Sequence, residues 1–244
     1  MNNELTGNSA AQPFHQELAA LKEQLVMMGR LAESAVRQAL KALVERNDAL
    51  ARQCRDEDEI IDSLEVKLDD AAITLLTKAP LASDLRLIAV AMKICHNLER
   101  VGDEATTIAR QVLELNAEPQ LKPYIDLPSM AEIALGMLRE ALDAFITRQP
   151  GQARAIIPRD KQVDALNRQL HRELLSYMVE DGRSTSRCLN LMVISKSLER
   201  IADHATNIAE QVVYLYEGRD IRHTGKGAAT LGATNPKGDP QPDT

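Results

Sequence analysis

The sequence contains no tryptophan and very few other aromatic residues. Aromatic residues make up 2% of the 244 positions, and the formal net charge is −7. Single-stranded nucleic acid is held by aromatic stacking and by a basic surface, so this composition argues against nucleic-acid binding. Alanine, leucine, glutamate, arginine and glutamine abound instead, which is typical of helices. We therefore expect an all-α protein that does not bind nucleic acid.

Cysteines and long apolar segments are also scarce. Cys54, Cys95 and Cys188 are odd in number and far apart, which argues against a disulfide framework or a C-x-x-C zinc site. The longest apolar runs, LIAVAM and LNLMVI, are far shorter than the roughly 20 residues of a membrane-spanning helix. The N-terminal residues lack the apolar core of a signal peptide. These features predict a soluble cytoplasmic protein with reduced, buried thiols.

Prolines, glycines and polar clusters divide the chain into segments with apolar residues at helical spacing. Six helices are predicted, at residues 15–46, 48–78, 82–116, 129–148, 151–180 and 184–217. Ser129 and Glu132 have the spacing of a capping box at the start of the fourth helix. Residues 1–14 and 224–244 contain little apolar side-chain area to bury, so we expect both terminal segments to be disordered.

One helical segment occurs twice in the chain. LERVGDEATTIA at residues 98–109 returns as LERIADHATNIA at residues 198–209, and ALKALVER at 39–46 corresponds to ALDAFITR at 141–148. Self-similarity of this kind indicates an internal duplication. The sequence thus predicts two tandem three-helix bundles, at residues 15–117 and 129–223, joined by a proline-containing linker at 118–128.

The repeated segments carry acidic residues at a spacing of four. Residues four apart lie on one helix face, where like charges repel. The preceding helix of each unit carries a second acidic pair. Asp62 and Glu99 are equally far from the predicted turn at Pro80, as are Asp58 and Asp103, and the four acids of the second unit are paired in the same way about the turn at Asp181. In antiparallel helices such residues lie at the same height. Each unit is therefore predicted to bring four carboxylates together, provided that the helix rotations agree. These acids are Asp58, Asp62, Glu99 and Asp103 in the first unit and Asp160, Asp164, Glu199 and Asp203 in the second.

Carboxylates without thiolates form an all-oxygen site. Such a site suits Mg, Mn, Ca or Fe ions of charge two or three, and zinc is less expected there. A di-iron oxidase centre also requires a Glu-x-x-His motif, and no histidine of this chain has a glutamate three residues before it. The sequence therefore favours simple cation binding over iron-oxygen chemistry.

A second interpretation of the acidic residues needs no metal. Arg86, Arg100, Arg110 and Arg200 are near enough in sequence to neutralise them in a solvated salt-bridge network. His96, His171 and His204 lie near the same segments. For each of them an ordinary polar surface position is favoured over a role as ligand.

The repeated motif and its surroundings resemble one protein family. LERVGDEATTIAR, LERIADHATNIAEQVVYLYEGRDIRH, APLASDLRLIAVAMK and MMGRLAESAVRQALKALVER are similar to segments of the PhoU family of bacterial phosphate-transport regulators, over about residues 15–223. The resemblance implies two similar three-helix bundles with E/D-x-x-x-D motifs that bind metal ions. The matching positions are the eight acids named above.

The resemblance also implies a role. Such a protein is a cytoplasmic adaptor between the ATPase subunit of the phosphate ABC transporter and the phosphate-sensing histidine kinase. It represses the phosphate regulon when phosphate is plentiful, forms homodimers, and meets the membrane only peripherally through its partners. It is not an enzyme.

The second unit departs from the first in two places. Pro158 lies two residues before Asp160, and a helix start or kink there would alter the second site. Asn167 stands where the first unit has Glu65. We therefore expect the two sites to differ in affinity or in the ion that they hold.

Two other functions stay open at the level of sequence. The eight carboxylates also suit a metal-storing or metal-dependent helical enzyme, although the chain has no G-x-x-x-x-G-K-[ST], H-E-x-x-H or G-x-S-x-G motif. A plain scaffold without metal is the third possibility. It predicts that substitution of the acids leaves partner affinity unchanged.

Overall fold

The computed structural model describes residues 7–218 and 220–221, with side chains from residue 13 onward. Within these ranges the chain forms helices and connecting turns and no strand, which confirms the predicted all-α class. The helices of the first unit are α1 (Gly7–Glu45), α2 (Asp48–Asp56), α3 (Asp58–Leu76) and α4 (Ala82–Asn116). Those of the second unit are α5 (Asp126–Thr147), α6 (Pro150–Ile156), α7 (Asp160–Glu180) and α8 (Thr185–Glu217).

Each unit consists of three helical rods, of which the middle rod is broken. In the first unit α4 packs against α1, α2 and α3, and in the second α8 packs against α5, α6 and α7. The two long helices α4 and α8 also pack against each other. Their apolar faces belong to one hydrophobic cluster that includes Leu98, Val101, Leu198 and Ile201. The repeated motif therefore lies at the centre of the molecule.

The first helix begins earlier than predicted. Residues 7–14, expected to be disordered, are helical. Phe14, Leu18, Leu21 and Leu25 are buried at helical spacing, so the apolar stripe already begins at Phe14 and holds the start of the helix against the core. The predicted disorder of residues 1–6 and of the tail 224–244 lies outside the described residues.

In the structure, the helices predicted at residues 48–78 and 151–180 are each divided into two helices. In the first unit the break falls at Glu57, between α2 and α3. Asp58 and Glu59 then form the first turn of α3, where negative charge is favoured by the helix dipole. In the second unit a 3₁₀ turn at Ile157–Arg159 separates α6 from α7. It contains Pro158, which has no N–H for an α-helical hydrogen bond. The predicted kink at Pro158 is present, but the first unit breaks at the same level without a proline.

The linker and the fourth predicted helix also need correction. The helix begins at Asp126 rather than at Ser129, and the linker is correspondingly shorter. Ser129 does not cap the helix, because its hydroxyl donates to the carbonyl of Ile125 at 3.1 Å. Pro128 is tolerated within the first turn, where backbone N–H groups have no intrahelical partner. Asp126 accepts a hydrogen bond from the Lys122 ammonium at 3.1 Å, which ties the linker to the helix start.

Candidate metal centres

The first predicted cluster begins at the break between α2 and α3. Asp58 is the first residue of α3 and is half-buried against α4. Burial, and then repulsion by Asp62 and by Asp103, raise the pKa of Asp58 to about 6. The structure thus brings Asp58 within electrostatic range of one acid on its own helix and one on α4, as expected from their equal distance from the turn.

A close helix contact positions Asp58. A Cβ atom built on Gly102 would lie 3.1 Å from an Oδ of Asp58 and 3.0 Å from Cδ1 of Ile61. The start of α3 therefore approaches the backbone of α4 more closely than a larger residue at position 102 would allow. Arg100 donates to Asp103 at 2.6 Å, so one of the predicted metal-binding acids already has a cationic neighbour.

Glu99 lies among a different set of neighbours from those predicted. Burial, and then repulsion by Asp103 and Glu65, raise the pKa of Glu99 to about 7. Its Oε2 atom is buried and has no hydrogen-bond partner. Asp62, the predicted partner at the same height, is exposed. The group that faces Glu99 from α3 is Glu65, one turn further along the helix.

In the part of the chain that the structure describes, Glu65, His96 and Glu99 form a group of three side chains whose ligand atoms converge. One ligand atom from each lies within 4.8 Å of the others. Nδ1 of His96 is 3.4 Å from Oε1 of Glu65 and 3.9 Å from Oε2 of Glu99. His96 is 67% exposed, as expected for a surface histidine, yet it borders the acids. Glu65 and His96 are also equally far from the turn at Pro80, so the pairing rule used above could have found them.

The second predicted cluster brings four carboxylates into electrostatic range. Burial, and then repulsion by Asp203, Asp164 and Glu199, raise the pKa of Asp160 to about 6. Its Oδ1 atom is buried without a hydrogen-bond partner. Asp160 is the first residue of α7, directly after the 3₁₀ turn. Its neighbours include all three other predicted acids of the second unit. Arg168 lies 3.7 Å from Asp164.

Hydrogen bonds connect Glu199 to a polar network in the second unit. Asn167 donates to Glu199 at 3.1 Å, and Ser195 donates to Asn167 at 2.8 Å. His171 lies within hydrogen-bond distance of Ser195, with 3.0 Å between Nε2 and Oγ. Lys196 forms an ion pair with the same oxygen of Glu199. Glu199 is therefore surrounded by donors, unlike Glu99.

The two repeated motifs meet where α4 crosses α8. Arg200 forms an ion pair with Glu104 at 3.2 Å, and Nδ1 of His204 lies 3.0 Å from Oδ1 of Asn97. Burial and the nearby Arg100 guanidinium lower the pKa of His204 to about 4. The prediction of a surface position is wrong for His204, because the residue packs between the units. Of the arginines expected to neutralise the acids, Arg100 pairs with a predicted site residue, whereas Arg86 lies over the Tyr214 ring.

None of the described helices combines the length and the apolar character needed to span a membrane. A family model described as "PhoU domain" matches residues 25–112 and 127–212, once in each unit. The two matches show that the domain occurs in tandem.

Named relatives match along most of the chain. The phosphate-specific transport system accessory protein PhoU homolog of Pseudomonas putida is 40% identical over 227 residues, which cover 92% of this chain and 89% of the relative. The phosphate-specific transport system accessory protein PhoU of Escherichia coli K12 is 34% identical over 213 residues, covering 87% and 88%.

Two solved structures share the fold. The crystal structure of PhoU from Pseudomonas aeruginosa has a TM-score of 0.81 at 39% identity and covers 84% of this chain and 100% of its own. That of the phosphate transport system regulatory protein PhoU from Streptococcus pneumoniae has a TM-score of 0.80 at 32% identity, with coverages of 85% and 99%. This chain belongs to the PhoU family.

Proposed function

We propose that this chain is a cytoplasmic regulator of phosphate signalling. It links the ATPase subunit of a phosphate ABC transporter to a phosphate-sensing histidine kinase and represses the phosphate regulon when phosphate is plentiful. The relatives are named as accessory or regulatory proteins of phosphate transport, and this chain is an accessory protein of the same kind, not an enzyme. The observation that carries the adaptor role is the pairing of two similar but non-identical units in one body.

Exposed apolar residues on the two units support the binding of two partners. Ile73 on α3 and Leu175 on α7 occupy equivalent positions of the two units, and both are more than half exposed. Their surroundings differ: Val66 accompanies Ile73, whereas Val179, 88% exposed, accompanies Leu175. Exposed apolar side chains that form a patch mark surfaces that bind other proteins, and spacings of seven and of four residues place each pair on one helix face. Two related faces of different detail suit two different partners.

The eight predicted acids bind divalent or trivalent cations such as Mg, Mn or Fe in this proposal. The buried Glu99 and Asp160 oxygens without hydrogen-bond partners support it, because a buried carboxylate oxygen is stabilised by a proton, a donor or a cation. A bound cation at Asp58, Asp62, Glu99 and Asp103, and at their counterparts in the second unit, would offset the repulsion that raises the pKa values described above.

A homodimer and a peripheral position at the membrane complete the proposal. The exposed apolar residues of both units support self-association. Contact with the membrane follows from binding to the transporter and the kinase. The mass of the purified chain from light scattering tests the dimer, and a mass equal to one chain across a range of concentrations contradicts it.

Affinity capture tests the adaptor role. Tagged protein from phosphate-rich cells is expected to retain both the ATPase subunit and the kinase, and deletion is expected to switch on phosphate-starvation genes despite plentiful phosphate. Leu175→Asp with Val179→Asp is expected to release one partner, and Val66→Asp with Ile73→Asp the other. Gln169→Asp, an exposed change on α7, is the control. Capture of neither partner by the wild-type chain, together with unchanged gene expression in the deletion strain, contradicts the adaptor role.

Thermal unfolding tests the carboxylate sites. Mg²⁺ or Mn²⁺ is expected to raise the melting temperature of the chelator-treated chain, because a ligand that binds only the folded state stabilises it. Asp58→Asn with Asp103→Asn is expected to remove most of the shift that belongs to the first site. Asp143→Asn, on the exposed face of α5, is the control. An equal shift in all three proteins contradicts a site at these acids.

A further inference from the structure

The repeats allow the two units to be compared position by position. Around Glu99 and Glu199 the acids Asp58, Asp62 and Asp103 keep acidic counterparts, whereas four other acidic or metal-binding side chains of the first unit have a neutral or basic counterpart in the second. The pairs are Glu65 and Asn167, Asp69 and His171, Cys95 and Ser195, and His96 and Lys196.

These differences change how Glu99 and its counterpart Glu199 are stabilised. In the second unit Lys196 places an ammonium on Oε2 of Glu199, and Asn167 donates to the same oxygen at 3.1 Å. In the first unit Oε2 of Glu99 is buried and receives no hydrogen bond. The side chain at the position of Lys196 is His96, which borders Oε2 of Glu99 at 3.9 Å. The same place in the fold thus holds a built-in cation in one unit and three converging ligand atoms in the other.

The first-unit group has the geometry of a metal site. In tetrahedral coordination with bonds of about 2.0–2.1 Å, neighbouring ligand atoms lie about 3.3 Å apart. The distances of 3.4 Å and 3.9 Å from Nδ1 of His96 to the two glutamates are close to this value, and a small rotation of the exposed His96 side chain would close the remainder. An imidazole nitrogen favours zinc, nickel or cobalt over magnesium or calcium. His96 therefore changes the kind of ion that this place selects.

We propose that Glu65, His96 and Glu99 bind one divalent transition-metal ion of the zinc, nickel and cobalt class, and that Lys196 fills the equivalent place in the second unit and excludes such an ion there. The chain then binds one such ion, not two. This site shares Glu99 with the first all-carboxylate cluster proposed above, and it differs from both clusters in its nitrogen ligand, its use of Glu65 and its restriction to one unit. It does not depend on the signalling role.

Calorimetric titration of the full-length chain with Zn²⁺, in the presence of excess Mg²⁺, tests the first part. Magnesium occupies the all-carboxylate site of the second unit, and in the first unit it competes with zinc for Glu99, where the imidazole nitrogen favours zinc. We expect one equivalent of Zn²⁺ to bind. His96→Lys, which copies the second unit, is expected to weaken this binding at least about tenfold, since even changes outside the coordinating shell alter affinity by about 10–100-fold. His15→Gln removes an exposed histidine of α1 and is the matched control.

A stability readout separates loss of a ligand from misfolding. In metal-free buffer His96→Lys is expected to melt at or above the wild-type temperature, because the new ammonium lies beside Glu65 and Glu99, whereas its Zn²⁺-induced shift is expected to vanish. Zn²⁺ binding by His96→Lys with the wild-type affinity overturns the site. So does a wild-type chain that binds no Zn²⁺ in excess Mg²⁺.

The reverse transplant tests the second part. Lys196→His together with Asn167→Glu reproduces the first-unit pattern in the second unit, and it is expected to add a second Zn²⁺ equivalent. Lys196→His alone keeps Asn167 and its hydrogen bond to Glu199, and is expected to add a weaker second equivalent. If both variants keep the wild-type helical circular dichroism and still bind one equivalent, the proposed exclusion by Lys196 is wrong.

Discussion

Asp160 makes the stability of the chain depend on pH. Its pKa is raised to about 6 in the folded chain from an ordinary value of 3.8, so the folded state holds a proton that the unfolded state has lost. The charged carboxylate of Asp160 destabilises the folded state. This effect is absent below the ordinary pKa of 3.8 and complete above the raised pKa of about 6. Stability is therefore lost as the pH rises through this window. Asp58 contributes with the same sign, since its pKa is also raised to about 6.

Asp160→Asn is expected to stabilise the metal-free chain near neutral pH by about 1 kcal/mol, after allowance for solvent screening, and to have little effect at about pH 4. Urea unfolding in chelator at the two pH values measures the difference. Asp143→Asn, an exposed change on α5, is the control. A variant that is less stable than wild type near neutral pH contradicts the repulsion described at Asp160.

His204 acts in the opposite direction. Its pKa is lowered to about 4 in the folded chain from an ordinary value of 6.5. Between these two pH values the unfolded state binds a proton and the folded state does not, so stability is lost as the pH falls through this window. His204→Gln keeps an amide donor for Asn97 and removes the titration. The stability of wild type relative to this variant is expected to fall by about 2 kcal/mol between about pH 7 and pH 5. Parallel urea unfolding curves at the two pH values test this, and a constant difference contradicts it.

The sequence predicts the height of the site residues but not their rotation. Equal distance from a turn indicated that Asp58 and Asp103 lie within electrostatic range of each other, as they do, because rise along a helix is regular. The same rule paired Glu99 with Asp62, whereas Glu65 faces Glu99 in the structure, because helix rotation and side-chain rotamers decide which side chain of α3 points towards α4. The long Lys196 side chain also reaches Glu199 along its own helix, at a spacing of three. A charged pair three residues apart is visible in the sequence, but the sequence does not tell which of several charged neighbours a flexible side chain contacts.

At the scale of helices, two residues that pack between α3 and α4 and their equivalents on α7 and α8 differ in size in opposite directions. Ile61 lies against Gly102 in the first unit, whereas the equivalent residues of the second unit are Val163 and Ala202, both fully buried. One contact combines a larger side chain with no Cβ, and the other combines a smaller side chain with a methyl group. The duplicated helices thus keep similar total volume at the point of closest approach.

Gly102→Ala is expected to destabilise the chain, because overpacking of about 1–3 kcal/mol exceeds the gain of about 1 kcal/mol in helix propensity. Ile61→Val in the same chain is expected to relieve the clash, with a favourable coupling of about 1 kcal/mol in a double-mutant cycle measured by urea unfolding. Val163→Ile combined with Ala202→Gly is the matching exchange in the second unit. Additive effects of the first pair would show that Ile61 and Gly102 are not packed as described.

Helix boundaries show where sequence patterns fail at this scale. The long helices α4 and α8 were predicted closely, since each has a continuous apolar seam that ends at a turn. The sequence predicts a helix start or kink near Pro158, before Asp160, but it predicts no break before Asp58. Apolar periodicity continues across each break, from Cys54 to Ile61 and from Ile156 to Val163, all buried. A local change in hydrogen bonding that preserves the buried face does not alter the pattern that predicts the helix.

At the scale of the whole molecule, the two units share one core. The buried faces of α4 and α8 join the apolar clusters of both units, and polar contacts such as Arg200 with Glu104 cross the same boundary. An isolated unit would expose the apolar face that its long central helix now buries, at about 25 cal/mol for each Å². We therefore expect the two units to depend on each other for stability.

This mutual dependence predicts that the full chain unfolds in a single step. Scanning calorimetry in metal-free buffer is expected to show one transition, with a calorimetric enthalpy equal to the van't Hoff enthalpy. Val101→Ala and Ile201→Ala each leave a cavity in the central helices, at a cost of about 2–5 kcal/mol for the isoleucine and less for the valine. Each is expected to lower the temperature of the whole transition, because loss of one unit exposes the buried face of the other. Two separate transitions, of which only one moves in each variant, would mean that the units are stable independently and that the contact between α4 and α8 contributes little to either.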